Sequence, residues 1–127
     1  MTPALEKKLY NRFKFFHPNG SIRDTLMVFG FDCEDGWFKI IWDLSEKINE
    51  HLKKLPEQKY PFEVVQVKEK FASLRYYTNW DTDEISDMIR EAEILSQKTC
   101  EICGKIGEVR DNGGWLRTLC NDCNKLG

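Results

Sequence analysis

Two pairs of cysteines near the end of the chain are the residues best suited to carry chemistry. Cys100 and Cys103 form one Cys-x-x-Cys pair, and Cys120 and Cys123 form another after a gap of sixteen residues. A two-residue gap lets both sulfurs of a pair face one ion, and two pairs at this separation are typical of a four-thiolate zinc site. Two disulfides or four unrelated buried thiols are the alternatives. The spacing therefore predicts one structural Zn²⁺ ion held by these four cysteines.

The rest of the sequence predicts a reducing environment for these thiols. No segment has the basic, apolar and small-residue order of a secretory signal, and no apolar run approaches the length of a membrane span. We therefore expect a cytoplasmic protein without a membrane partner, in which metal binding is favoured over disulfide formation. The fifth cysteine, Cys33, is expected to serve as a small, partly buried apolar residue.

The charge of residues 100–127, the predicted zinc finger, argues against phosphate binding. The chain of 127 residues carries a formal net charge of -2, and within residues 100–127 four basic side chains balance four acidic ones. Four thiolates around one divalent ion make the finger more negative still. A finger that binds nucleic acid through its phosphates should be clearly basic. Positive charge is instead in excess in residues 1–20, and negative charge in residues 80–99.

The elements that must position the cysteines begin with an N-terminal helix. Thr2 is its expected cap, Pro3 lies at its first position, and apolar side chains recur at helical spacing as far as Phe16. A turn is predicted at residues 17–20. The cationic face of this helix would suit an anionic membrane or a nucleic acid, but a solvated face on a core helix is the commoner arrangement.

A second helix is predicted to be central to the core. Residues 22–31 are expected to be an extended segment, and Asp32 or Asp35 is expected to cap a helix that runs to about Leu55. His51 falls beside the apolar stripe of this helix. Because no serine, cysteine or aspartate constellation accompanies His51, we interpret it as a structural histidine.

A β-hairpin is predicted in the middle of the chain. Residues 64–68 alternate in the manner of a strand, and residues 74–78 resume as a second strand after a short polar turn. Cations interleaved with aromatic side chains near this turn form a candidate partner-binding surface of Lys68, Lys70, Phe71, Arg75 and Tyr77. The alternative is a solvated hairpin tip with a cross-strand ion pair.

The third helix has the clearest predicted start and leads directly to the finger. Asp81 is its expected cap, and Glu84 is the partner of a capping box. The helix reaches Cys100 without the flexible linker that an independent finger would need. We therefore expect an α+β body over residues 1–99, with helices around a small antiparallel sheet, and a zinc finger over residues 100–127 that is docked on this body.

The sequence around the second cysteine pair resembles a known metal-binding fold. Residues 115–123 (WLRTLCNDC), after a predicted turn at Gly113 and Gly114, resemble the second half of a GATA-type treble clef. The resemblance implies a treble-clef or zinc-ribbon shape for the finger. In that family the second pair opens a helix that reads DNA. Four residues follow Cys123 in this sequence, so we expect no counterparts of the DNA-reading residues.

A broader resemblance covers most of the chain. Residues 31–38 (FDCEDGWF), residues 67–77 (VKEKFASLRYY) and the finger at residues 100–123, in this order, are similar to small uncharacterised proteins of bacteria and their phages. The resemblance implies a shared architecture and a bacterial or phage setting, and it implies no activity. At the hairpin turn, where glycine is expected in that group, this chain has Ala72.

An enzymatic function is not expected. A catalytic zinc ion keeps one coordination position open, whereas four thiolates close the shell. Both histidines lie far upstream of the cysteine pairs. A nucleophilic role for Cys33 is disfavoured, because the carboxylates that follow it in sequence would raise the pKa of its thiol.

Two non-enzymatic functions remain. The first is a zinc-stabilised protein-interaction module, which in a phage would bind and inhibit or modulate a host or defence protein. Its acidic third helix, if exposed, would imitate the charge of nucleic acid. The second is a nucleic-acid binder that uses the N-terminal cations together with Lys68, Lys70 and Arg75. The acidic charge balance and the neutral finger favour the protein partner.

Overall fold

The structure, a computed structural model, describes residues 1–17 and 25–126. The predicted turn at residues 17–20 and the start of the predicted extended segment fall largely outside the described residues. The regular elements are, in chain order, α1 (Pro3–Arg12), β1 (Phe31–Asp32), α2 (Phe38–Leu52), β2 (Val64–Lys70), β3 (Ser73–Thr78), α3 (Asp83–Ser96), β4 (Glu108–Asn112), β5 (Trp115–Leu119) and α4 (Asn121–Leu126). Short 3-10 helices at Met27–Phe29 and Asp35–Trp37 flank β1.

The described chain has four α-helices and two small sheets, and this confirms the predicted α+β class. The first sheet has the order β1-β2-β3, with β1 parallel and β3 antiparallel to β2, so it is mixed and not wholly antiparallel as predicted. The second sheet is the β4–β5 hairpin between the two cysteine pairs, with its turn at Gly113 and Gly114 as predicted. None of the helices in the described ranges is long and apolar enough to cross a membrane.

The core forms where α2 and α3 pack together and on the first sheet. As predicted, α2 is central: Ile41 and Ile48 are fully buried on its inner face, and Trp37 is fully buried just before it. The helix ends at Leu52 rather than at Leu55. A buried polar contact links it to the sheet, because Ser45 Oγ and the Tyr76 hydroxyl lie 3.0 Å apart.

α1 is shorter than predicted, because the chain leaves the helical conformation after Arg12. Lys14 and Phe15 form a turn after which the chain joins the first sheet: the Val64 N–H donates to Phe15 O at 2.9 Å, and Phe16 forms a parallel bridge with Val64. Phe13, Phe15 and Phe16 are all buried. Burial of Phe15, which lies off the predicted helical stripe, favours this turn and bridge over a longer helix.

The predicted caps of the helices are also corrected. Thr2 lies at the start of α1, but its side chain makes no cap, and its N–H instead donates to Asp35 Oδ1 at 2.7 Å. Asp35 therefore ties α1 to the segment before α2, and neither Asp35 nor Asp32, which lies in β1, caps α2. At α3 the cap is Thr82 and not Asp81. Thr82 is fixed there because its hydroxyl also lies 3.1 Å from Nε2 of His51 on α2.

The apolar segment before β1 is not extended throughout, contrary to prediction. Met27–Phe29 form a 3-10 helix, and only Phe31–Asp32 are a strand. The Met27 N–H donates to the Thr25 hydroxyl at 3.0 Å, which stabilises the turn. Gly30 ends the turn with a φ of 77°, a conformation that glycine adopts readily.

The β2–β3 hairpin is present as predicted, with a tight two-residue turn. Lys70 pairs with Ser73, so Phe71 and Ala72 alone form the turn. Both have positive φ, 52° and 65°, which is the pattern of a type I′ turn that usually contains asparagine or glycine. For residues other than glycine, asparagine and aspartate, a left-handed backbone costs about 1–2 kcal/mol per residue. Surrounding contacts must therefore hold this turn.

The finger contacts the body at the 3-10 helix before α2. The Gly36 N–H donates to Glu101 O of the finger at 2.7 Å, and the Trp37 indole N–H donates at 2.9 Å to O of Thr99, the body residue directly before the finger. Gly36 packs so closely on the first cysteine pair that a Cβ at this position would collide with the carbonyl oxygens of Cys100 and Glu101. The junction therefore requires glycine.

Replacement of Gly36 by alanine should weaken this junction. Overpacking against backbone atoms costs about 2 kcal/mol or more, so the free energy of unfolding of Gly36→Ala should fall by this amount in a denaturant titration. Gly113→Asn is the matched control, because no atom lies within 4 Å of a Cβ at that position and asparagine tolerates its φ of 69°. If Gly36→Ala were as stable as the wild type, the close packing of Gly36 on the first cysteine pair would be contradicted.

Candidate metal centre and adjoining groove

The structure brings the four paired cysteines together. Their sulfur atoms all lie within 4.8 Å of one another, and Cys103 Sγ and Cys120 Sγ are 3.6 Å apart. The sulfurs of a tetrahedral zinc site lie about 3.8 Å apart when each is about 2.3 Å from the ion, whereas a disulfide requires about 2.05 Å. The cysteines are accordingly free thiols. The cluster can hold one metal ion.

Two tight turns position the sulfurs. The first pair follows α3 in a turn closed by the Gly104 N–H, which donates to Cys100 O at 2.9 Å, and Gly104 has a φ of 82°. The β4–β5 hairpin then leads the chain back to the second pair. At the start of α4, the Cys123 N–H donates to Cys120 Sγ at 3.4 Å. Of the four cysteines, Cys103 alone is exposed.

Backbone N–H groups favour the thiolate form in one cysteine of each pair. Burial alone would raise the pKa of Cys100, but N–H groups of Cys103, Cys120 and Ile102 lower this pKa to about 6. The Cys123 N–H similarly lowers the pKa of Cys120. The sulfur of Cys120 raises the pKa of Cys123 to about 12. Four crowded thiolates therefore need a cation in order to coexist.

Glu101, inside the first pair, links the centre to the body. It is only 4 % exposed. Its Oε2 accepts the Glu34 N–H at 3.0 Å, and its Oε1 lies 3.7 Å from Arg117 Nη2. Burial raises the pKa of this carboxyl group. The sequence pattern shows Glu101 only as one charge of the finger, because its backbone partner lies 67 positions away in the chain.

The fold separates two of the five predicted partner-binding residues from the others. Arg75 Nη1 contacts Glu93 Oε2 of α3 at 2.7 Å, so the charge of Arg75 is paired within the body. Across the hairpin, Arg75 faces Lys68, so its ion pair is not the cross-strand pair that the sequence suggests. Tyr77 lines a separate pocket beside α3.

The other three residues line a groove that the finger completes. Lys68, Lys70 and Phe71 form one wall, and residues 114–116 form the other, around a cavity of about 390 Å³. Phe71 is 67 % exposed and Trp115 is 70 % exposed. The tips of the β2–β3 and β4–β5 hairpins bound this cavity, which is here called the hairpin groove.

Trp115 is missing from the surface predicted from the sequence. A tryptophan directly after the paired glycines of a turn is a signal that would have marked it as exposed. Its association with Phe71 was not predictable in this way. The two residues line one cavity because the finger packs on the body, and no local sequence pattern predicts this arrangement.

The remaining candidate groups have structural partners. Cys33 is buried as expected, and burial raises the pKa of its thiol, which disfavours a nucleophilic role. His51 contacts Thr82 as described above, and His17 Nε2 lies 3.5 Å from Glu63 Oε1.

A larger groove of about 620 Å³ lies beside α2 and α3. Its apolar lining includes Leu5, Phe38, Leu44, Met88 and Leu95. Lysines and carboxylates both occur around it, so its charge favours no particular ligand.

Comparison of the chain with models of protein families, with curated proteins and with solved structures gives no match. The resemblances to GATA-type fingers and to small bacterial and phage proteins therefore stay expectations from the sequence. The function has to follow from the contacts of the chain itself.

The purified protein should contain about one tightly bound metal ion per chain, measured by elemental analysis. Cys103→Ser should lose this ion, because the exposed Cys103 contributes a ligand and little packing. Binding of a structural zinc ion is worth about 10–16 kcal/mol and is coupled to folding. Chelation should therefore unfold residues 100–126, and acid should release the ion as protons replace it on the thiolates.

Cys33→Ala is the matched control for the metal centre. It removes a buried sulfur outside the cluster and should keep the full metal content, with a modest loss of stability. A metal-free wild-type protein of unchanged stability, or a Cys103→Ser protein with a full metal content, would contradict the centre.

Proposed function

We propose that the protein is a non-enzymatic, zinc-stabilised module that binds another protein. The observation that carries this proposal is the pair of exposed aromatic side chains, Phe71 and Trp115, at the hairpin groove. Aromatic residues are enriched at protein interfaces, where their large surface is buried by the partner. The metal ion would build this surface, and the surface would bind the partner.

Zinc is the ion that best fits the donor set. Four thiolates in a tetrahedral arrangement are typical of Zn²⁺ or of iron–sulfur clusters. Sulfur atoms within 4.8 Å of one another suit a single ion, because a multi-iron cluster holds its cysteines further apart. The two Cys-x-x-Cys pairs joined by a hairpin also match structural zinc sites.

A structural role for the ion supports a function without catalysis. Four cysteine ligands leave no coordination position for a substrate or a water molecule. Glu101, the carboxylate nearest in sequence to the first pair, is buried and engaged by the Glu34 N–H and by Arg117. A carboxylate held in this way is poorly placed to exchange protons with a substrate.

Charge favours a protein over a nucleic acid as the partner. Affinity for nucleic acid depends on many cations that neutralise phosphates. The chain has a net charge of -2, and the hairpin groove offers two cations, Lys68 and Lys70. The outer face of α3 is acidic and exposed at Asp83, Glu84, Asp87 and Glu91.

The setting suggested by the sequence gives this module a role. In a phage, the partner would be a host or defence protein that the module inhibits or modulates. The acidic face of α3 would then act as a second contact, because its carboxylates imitate the phosphates to which a nucleic-acid-binding protein is adapted.

Affinity capture with the tagged full chain, from cells that naturally contain it, tests the proposal. A protein should be enriched in comparable amount, should remain after nuclease treatment, and should be lost when Cys103→Ser is the bait. In parallel, binding of mixed-sequence DNA and RNA oligonucleotides is measured as a function of salt. It should be weak even at low salt.

Two results would contradict the proposed function. One is that the wild-type bait enriches no protein that the Cys103→Ser bait does not also enrich. The other is capture that nuclease abolishes, together with tight oligonucleotide binding that salt weakens steeply, which would favour the nucleic-acid alternative.

A further inference from the structure

The turn that presents Phe71 at the hairpin groove is held by the finger. Glu69 Oε2 accepts the Ala72 N–H at 2.8 Å, and the Thr118 hydroxyl of β5 donates to Ala72 O at 2.7 Å. Ala72 itself is fully buried. These contacts hold the left-handed backbone of Phe71 and Ala72. In proteins, strained backbone that is held by surrounding contacts is concentrated at functional sites. The aromatic ring is thus presented in one defined position.

Two strand ends beside the groove have an open edge. β1 pairs with β2 only as far as Asp32 opposite Lys68, so residues 69–70 extend beyond it. β5 has a strand partner on one side only within the described chain, and residues 115–116 form its start. Open strand edges bind extended peptides through main-chain hydrogen bonds.

Positive charge at the groove is available to a ligand. Within the described residues, Lys68 and Lys70 make no ion pair. Glu69, which lies between them, is engaged with the Ala72 N–H. Lys70 Nζ lies 5.7 Å from the centroid of the Phe71 ring, so a cation and an aromatic surface are offered together.

We propose that the hairpin groove binds an extended, acidic segment of the protein partner. A large apolar or aromatic side chain of that segment would contact Phe71 and Trp115, and its carboxylates would face Lys68 and Lys70. This inference rests on the proposed protein-interaction function and adds the place of binding and the chemical class of the ligand. The open edges provide main-chain contacts, the lysines select acidic residues, and the rings select the apolar anchor.

A nucleic acid matches the same groove less well. A single strand stacks its bases on aromatic rings and lays its phosphates along a basic track. Two lysines on a chain with a net charge of -2 make only a short track. The open strand edges are matched by the backbone of a peptide and not by that of a nucleic acid.

A display library of short random peptides, selected on the zinc-loaded full chain, tests the proposal. The selected peptides should be enriched in aspartate and glutamate next to aromatic or large aliphatic residues. Labelled synthetic copies are then titrated by fluorescence anisotropy, alongside labelled single-stranded DNA and RNA oligonucleotides of mixed sequence.

Substitutions in the groove should weaken peptide binding selectively. Trp115→Ala and Lys70→Glu should each raise the Kd at least about tenfold. Phe71→Asn should do the same without loss of stability, because asparagine tolerates the left-handed turn better than phenylalanine. Tyr60→Ala and Lys59→Glu are matched controls that should bind normally, since Tyr60 is 61 % exposed and Lys59 Nζ lies 5.3 Å from its ring centroid.

Four results would overturn the proposal. The first is the selection of no peptide, or of peptides without acidic enrichment. The second is unchanged peptide binding by Trp115→Ala, and the third is loss of peptide binding by Leu95→Glu, which alters the larger groove. The fourth is oligonucleotide binding that Trp115→Ala and Lys70→Glu abolish. A natural protein partner captured equally by the wild type and by Trp115→Ala would leave the proposed function intact and reject only this groove.

Discussion

The convergence of four cysteine sulfurs, which can hold one metal ion, is the feature on which the finger depends, because within the described residues the finger has almost no hydrophobic core of its own. Its buried cluster consists of Leu119 and three of the cysteines, Cys100, Cys120 and Cys123. A segment this short cannot bury enough apolar surface to fold without a metal, a disulfide or a partner. A bound ion would hold together the two turns that carry the cysteine pairs, and we expect it to order the β4–β5 hairpin between them.

The finger in turn completes the body. Its first turn packs on Gly36, and its buried Glu101 accepts a backbone N–H from the loop before α2. The Thr118 hydroxyl of β5 donates to the carbonyl oxygen of Ala72. The last contact helps to hold the left-handed turn at Phe71 and Ala72, which places Phe71 at the hairpin groove. Phe71 from the body and Trp115 from the finger then form one surface, although neither part carries it alone.

Local patterns in the sequence predict those features that local forces decide. The cysteine spacing, the α2 stripe and the two hairpins are of this kind, and the structure shows them. The errors occur where a distant contact selects among local options. Asp81 and Thr82 can both cap a helix, and the contact with His51 favours Thr82. The segment through Phe16 has a helical stripe, but burial of Phe15 and pairing with Val64 end the helix at Arg12. The hairpin groove forms where the finger packs on the body, so local sequence patterns do not predict it.

Hydrogen exchange of individual backbone amides, followed by NMR with and without the metal ion, tests most directly whether the centre orders the body. The account predicts that chelation accelerates exchange at Gly36, which donates to Glu101, and at Ala72 in the strained turn, whereas Leu44 within α2 keeps its protection. Unchanged protection of Gly36 and Ala72 in the metal-free protein would contradict it, because the finger would then be an appendage that neither holds the turn nor builds the groove.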